Sequence, residues 1–289
     1  MAMAQQIGVR PTGAALGADV VGVNLARLDD STFDFIRSVL REHLVIRFRG
    51  AAVDDRTYIE LARRFGEIEP PEDRTRTAEM TVPGFPEMSI ISNIVVDGVA
   101  RGETGDGELR WHTDHGFMEV PIALSMLLAR EIPAAGGETS FANMYAAYEA
   151  LPPALRERIQ GLNVKHQSSH SSTGKRRPGY QNLESDDPRE LPGALHPMVR
   201  THPETGRKAL YLGRRFGSYI PPLPLEESET LLDEIWGYAT DDEFTWTQTW
   251  QVGDLVVWDN RCTMHRRESF AGHGTRVMHR LMTKGERPV

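Results

Sequence analysis

The segment Trp111-His112-Thr113-Asp114-His115 concentrates chemistry-bearing side chains. In an extended backbone successive side chains alternate faces, so His112 and Asp114 project together and Thr113 projects away. An imidazole and a carboxylate so placed can take two neighbouring positions on one metal ion. The best third ligand is His265, which follows the apolar run Leu255-Val256-Val257-Trp258 and the turn-forming Asp259-Asn260-Arg261. Two His and one carboxylate leave the opposite face of a metal open, the arrangement of non-haem Fe(II) oxygenases. A His-x-Asp pair alone is common by chance, and the same ligands with a bound water also suit a zinc hydrolase. His43, His166, His170, His196 and His202 read as structural or solvent-facing.

A second set lies near the carboxyl end. Alternation places Arg276, Met278, Arg280 and Met282 on one strand face and Val277, His279 and Leu281 on the other. Four strand residues put the two arginines about 13 Å apart, too far to share one carboxylate but suited to two anions in one pocket. The bland alternative is solvation, the usual fate of strand arginines. Gly136-Gly137-Glu138-Thr139 permits a tight entry to a strand, with the Thr139 hydroxyl available to an anion. Phe244, Trp246 and Trp250 read as packing against a helix. Phosphate-binding loops, dinucleotide fingerprints, nucleophile elbows and H-E-x-x-H are absent from the sequence.

The elements that must position these residues are mostly short strands. Those expected are 44–48, 88–94, 122–129, 138–142, 195–201, 208–212, 243–250, 255–258 and 275–283, separated by Gly, Pro, Asn and Asp. Helices are expected over 32–43 capped by Ser31, up to Gly66 capped by Asp54 or Asp55, and over 143–151, 153–160 and 226–238. They are too few and too unevenly placed for alternating βαβ units, so a jelly roll or barrel decorated by helices is the simplest architecture. No domain boundary is visible, and residues 1–289 read as one domain. The polar stretch 168–192 suits a mobile loop, either a lid or an insertion.

The chain has 289 residues, with 33 Lys plus Arg against 41 Asp plus Glu and a net charge of -8. That balance argues against a global grip on nucleic acid or an anionic membrane, and no apolar run approaches the roughly 20 residues of a membrane span. The single cysteine, Cys262, excludes a disulfide framework and any multi-thiolate metal site. The start Met1-Ala2-Met3-Ala4-Gln5-Gln6 lacks a secretory signal, so a cytoplasmic location is expected.

Together with Arg64-Phe65-Gly66-Glu67, Gly137-Glu138-Thr139, His196-Pro197, Thr201-His202-Pro203, Trp258-Asp259-Asn260-Arg261 and Met278-His279-Arg280, these residues resemble the TauD/TfdA family of Fe(II)- and 2-oxoglutarate-dependent dioxygenases. The resemblance runs from about Gly8 to Gly285 and implies a mainly β fold with flanking α, a double-stranded β-helix or jelly roll. It implies that His112, Asp114 and His265 bind Fe(II). Thr139, 27 residues after His112, and Arg276, 11 after His265, resemble the family's anchor for the distal carboxylate of the cosubstrate 2-oxoglutarate. Arg280, 15 after His265, resembles the residue that taurine-type members use on the anionic head of the primary substrate. O2 would complete the reaction, releasing succinate and CO2 as a small anionic substrate, whether sulfonate, sulfate ester, aryloxyalkanoate or other carboxylate, is hydroxylated. The chain departs from taurine enzymes at Glu69-Pro70-Pro71-Glu72-Asp73-Arg74 and His166-Gln167-Ser168, which argues against taurine. A zinc hydrolase and a non-catalytic jelly-roll binding protein remain the alternatives. Family members are often dimers or tetramers, which leaves a homo-oligomer open.

Overall fold

Apolar residues occupy successive positions in Leu255–Asp259 and Ile122–Glu131, so these strands must be covered on both faces. The computed structural model describes residues 6–51, 53–71 and 78–289. Residues 1–5 and Glu72-Asp73-Arg74, on which the readings of the chain start and of the departure from taurine enzymes partly rest, lie outside them. Among the described residues a nine-stranded sheet runs Gly8–Pro11, Ala18–Val21, Val45–Phe48, Leu255–Asp259, Ile122–Glu131, Val277–Lys284, Phe85–Ser92 and Thr81–Val82, with Glu103–Thr104 also paired to Phe85–Ser92. A four-stranded sheet runs Thr245–Gln248, Thr139–Asn143, Thr263–Arg267 and Leu109–His112. The fold is the expected jelly roll.

Strand alternation decides which core each residue joins. Val256, Trp258 and Met278 pack toward the small sheet with Phe141 and Met264. Leu255, Val257 and Leu281 pack on the other side, with Ile36, Leu40 and Ile59 of the two amino-terminal helices. The first helix is Asp30–His43; its cap is Asp29, whose carboxylate accepts from the Thr32 amide at 2.7 Å. The expected cap Ser31 instead donates its hydroxyl to Asp29 at 2.9 Å, because the residue three before Thr32 is the one in extended backbone. Leu44 takes a left-handed φ of 64° and ends this helix, so the following strand begins at Val45. Asp54 caps Asp55–Phe65.

Two expected strands are corrected. The run 195–201 splits at its proline: Gly193–Pro197 pairs with Asn163–Gln167, and Val199–Thr201 pairs with Lys208–Leu210. The run 243–250 begins as a 3₁₀ turn and is strand only over Thr245–Gln248. Trp246 stacks on Phe141, and Trp250 lies beneath the Arg276 guanidinium with its Nε1 donating to the Thr139 hydroxyl at 3.0 Å. Among the described residues no helix is long and apolar enough to cross a membrane.

The turn that delivers His265 is held by buried charge. Asp259 accepts from Arg261 Nε at 2.9 Å and Nη2 at 2.7 Å, and lies 3.1 Å from His202 Nε2. Arg261 Nη2 also reaches Glu204 at 2.8 Å. Burial raises the Asp259 carboxyl, but the Arg261 and His202 hydrogen bonds outweigh it and hold the group below the usual carboxylate range. Removing one partner strands the other in a poor solvent for charge. Arg261→Met is expected to lower the unfolding free energy by about 3–5 kcal/mol in urea titrations at neutral pH. In the native protein the Asp259 contribution is full above the unfolded carboxylate value of about 4 and declines as pH falls below it.

Candidate active site

His112 ends the strand Leu109–His112, and His265 sits in the middle of Thr263–Arg267; the two are cross-strand partners with ring centroids 4.2 Å apart. Asp114 follows two residues after His112, where the Asn260 side chain fixes the backbone. Asn260 Oδ1 accepts from the Asp114 amide at 2.9 Å, and Asn260 Nδ2 donates to the Asp114 carbonyl at 2.9 Å. The Asp114 carboxylate then faces both rings, 3.5 Å from His112 Nε2 and 3.8 Å from His265 Nε2. Ser125 donates its hydroxyl to the same carboxylate at 2.9 Å. One ligand atom from each of His112, Asp114 and His265 lies within 4.8 Å of the others, and all three residues are buried.

Protonation favours cation binding there. His112 Nδ1 lies 2.7 Å from the Arg110 carbonyl and donates to it, which turns Nε2 toward Asp114. Burial, with His112 beside it, pushes His265 down to about 3, so it is neutral at pH 7. Burial opposes the charge of Asp114, but the facing imidazoles and Arg280 outweigh it and keep the carboxylate ionised. Two imidazole nitrogens and one carboxylate oxygen thus converge, a donor set that fits Fe(II) with further positions open.

His202, Asp259 and Cys262 also lie within 4.8 Å of one another. His202 Nδ1 accepts from the Glu204 and Thr205 amides, so its proton is on Nε2 and points at Asp259. With both ring nitrogens engaged and the Cys262 thiol pushed up by burial, this second cluster fits structural packing, not a metal. His166, His170, His196 and His202 are all buried, so the solvent-facing half of their reading is corrected; His166 and His196 pack against each other and on Tyr211.

The trio opens onto a cavity of about 520 Å³, whose lining includes Thr139, Arg276, Arg280, Glu103 and Phe117. Arg276 is 2% exposed, and its Nε has no hydrogen-bond partner among the described residues. Its guanidinium stands over Trp250 and Phe270, and burial, reinforced by the charge of Arg267, pushes it down to about 9. Gly136 and Gly137 make this closeness available. Both have positive φ, and a Cβ at Gly136 would lie 2.4 Å from the Ser269 carbonyl and one at Gly137 3.3 Å from Arg276 Cδ. Thr139 Oγ1 accepts from Trp250 Nε1 at 3.0 Å, which leaves its own proton to donate.

Arg280 also reaches the cavity, as strand alternation requires, but it meets Glu103, whose carboxylate oxygens both lie 3.2 Å from Nη2. Neither Glu103, in the Gly- and acid-rich stretch 102–108, nor Arg267 is among the site residues expected from the sequence; Arg267 donates to the Thr104 hydroxyl at 2.9 Å and the Gly105 carbonyl at 3.0 Å. Its signal was present: Arg267 lies two strand positions after His265 and shares its face. Asn260 and Ser125 carried no such signal, because only the folded chain brings them against Asp114. The segment 168–192 is traced with turns, and its residues Ser171 to Pro178 form part of the cavity wall.

The family model described as taurine catabolism dioxygenase TauD, TfdA family, matches residues 8–282. An (S)-phenoxypropionate/alpha-ketoglutarate-dioxygenase of Delftia acidovorans is 34% identical over 294 residues, covering 96% of this chain and 94% of that protein. An alpha-ketoglutarate-dependent sulfate ester dioxygenase of Pseudomonas putida is 33% identical over 305 residues, covering 99% and 92%. The crystal structure of a taurine dioxygenase from Burkholderia xenovorans superposes with a TM-score of 0.80 at 31% identity, covering 98% of this chain and 91% of that one. The chain belongs to the TauD/TfdA family and is a 2-oxoglutarate-dependent dioxygenase.

Proposed function

We propose that residues 1–289 form one catalytic domain in which His112, Asp114 and His265 hold Fe(II), Arg276 and Thr139 hold 2-oxoglutarate, and Arg280 receives a small anionic substrate. The observation that carries this reading is Arg276: a buried guanidinium, unneutralised at Nε, opening into the same cavity as the three metal donors. Burying a charge this way is costly unless an anion completes it. The distal carboxylate of 2-oxoglutarate fits, accepting from the guanidinium and from the free proton of Thr139. When bound, Fe(II) supplies O2 activation coupled to decarboxylation of 2-oxoglutarate to succinate and CO2. Arg276, backed by Trp250 and Phe270, keeps water from the far end of the cosubstrate and fixes its orientation. Asn260 and Ser125 keep the Asp114 carboxylate turned toward the two imidazoles. A zinc hydrolase would give Arg276 and Thr139 no shared task.

The two relatives act on an aryloxy acid and on sulfate esters by their names. We extend that chemistry to this chain: a monoanionic head near Arg280 and a C–H bond beside an oxygen near the metal. Hydroxylation at such a carbon gives an unstable product that breaks at the C–O bond. The segment 168–192 would act as a lid that shields the oxidant from water.

His112→Ala should reduce 2-oxoglutarate-dependent succinate formation to the no-enzyme level after anaerobic Fe(II) loading; equal turnover in this variant would sink the reading. Arg276→Met should weaken 2-oxoglutarate binding by about 100-fold in calorimetry, on the scale of a lost charged pair. The same change should raise the unfolding free energy of the metal-free protein by about 1–4 kcal/mol, since it replaces a buried, poorly compensated charge by an apolar chain. Protease cleavage within 168–192 should slow when Fe(II), 2-oxoglutarate and phenoxyacetate are all present, and an unchanged rate would remove the lid.

A further inference from the structure

Arg280 does not wait as a free cation. Glu103 sits on it, yet the pair is loose: both carboxylate oxygens lie 3.2 Å from the single nitrogen Nη2. Charge-assisted N–H···O bonds normally close to about 2.7–2.9 Å, and the strongest use two guanidinium nitrogens at once. Nε, which shares a donor edge with Nη2, has no partner among the described residues. Half of the bidentate edge is therefore unused.

The backbone beneath Glu103 is pinned. The strand Glu103–Thr104 pairs in parallel with Phe85–Ser92, placing Glu103 beside Ile91. Gly102 has φ of 133°, and a Cβ there would lie 2.9 Å from the Ile90 carbonyl. Thr104, β-branched, is held at φ of 75° while its hydroxyl and the Gly105 carbonyl accept from Arg267. A β-branched residue in that region is strained and persists only where its surroundings hold it. A bound ligand can thus displace the Glu103 carboxylate by side-chain rotation, while its main chain stays in the cavity wall.

We propose that Glu103 is a specificity-determining residue, an internal competitor that a substrate anion must displace from Arg280 by taking the Nε and Nη2 edge together. The proposal rests on the reading of Arg280 as the substrate-anion site. It favours compact oxyanions, carboxylate, sulfonate or sulfate, that present two oxygens to one guanidinium edge. Anions able to make only one contact gain nothing over Glu103 and are rejected. The Glu103 carboxylate, once displaced, still neutralises the neighbourhood and disfavours a second negative charge on the substrate.

The test is the dissociation constant of phenoxyacetate and of hexyl sulfate, measured by calorimetry on protein loaded anaerobically with Fe(II) and 2-oxoglutarate. Glu103→Gln keeps the side-chain shape and removes the charge, and should tighten both probes by at least about tenfold, the size of one modest charge interaction. Glu103→Asp withdraws the carboxylate by one methylene and should tighten them too, by less; it serves as the readout if the first variant does not fold. Unchanged or weaker binding in the folded variant overturns the competitor. Arg280→Gln separates the two levels of inference: if it leaves both constants unchanged, the substrate-anion site itself is misplaced. If it weakens the probes while the Glu103 variants do nothing, Arg280 stands and only the role of Glu103 falls.

Discussion

Two strands distant in sequence, Leu109–His112 and Thr263–Arg267, pair so that His112 and His265 face each other, and the remaining site geometry follows from that register. A slip of one residue would turn one of the two imidazoles to the opposite face of the sheet, away from the other. The register is held from outside the pair. Thr263–Arg267 also pairs with Thr139–Asn143, which places Thr139 opposite Arg267. The turn before His265 is clamped by Asp259, Arg261 and His202, and its central residue Asn260 reaches across to the Asp114 backbone. One turn therefore sets the height of His265 and the position of the Asp114 carboxylate together.

Charge is distributed against the overall composition. The chain carries a net charge of -8, yet Arg267, Arg276 and Arg280 converge within one half-buried cavity. Burial lowers Arg276 to about 9 and Arg267 to about 10, because the protein alone solvates their charge poorly. Such a site is destabilising by itself and complementary to bound anions, the common trade between stability and function. The three arginines are treated differently. Arg267 donates from Nη1 and Nη2 to the hydroxyl and carbonyls of the Thr104 to Gly107 stretch, Arg280 is loosely matched by Glu103, and Arg276, whose Nε has no partner among the described residues, is lowered furthest by burial. That gradient supports a cosubstrate site ready to bind and a substrate site that must first exchange a partner.

Much of this was legible in the residues. Alternation put His112 with Asp114 and Arg276 with Arg280, and both pairs do meet at the cavity, although Asp114 lies in the turn after Leu109–His112 and Arg276 one residue before Val277–Lys284. Caps and apolar spacing located the helices, with an error of two residues at Ser31 that arose because Asp, Ser and Thr all cap well. The Gly136-Gly137 pair read as a tight entry to a strand, and both take positive φ just before Thr139–Asn143; its closeness to Ser269 and Arg276 comes from the loop between Thr263–Arg267 and Val277–Lys284, more than a hundred residues away.

The sequence by itself determined the donor types, their faces and the class of fold, since these depend on local periodicity and on which residues can ligate or bind anions. Only the tertiary structure decided which groups oppose one another. That His202 spends both nitrogens on structure, that Trp250 leaves the Thr139 proton free, and that Glu103 occupies Arg280 all depend on contacts across strands and loops far apart in the chain. Periodicity tells each side chain which way to face, but not what it will meet there.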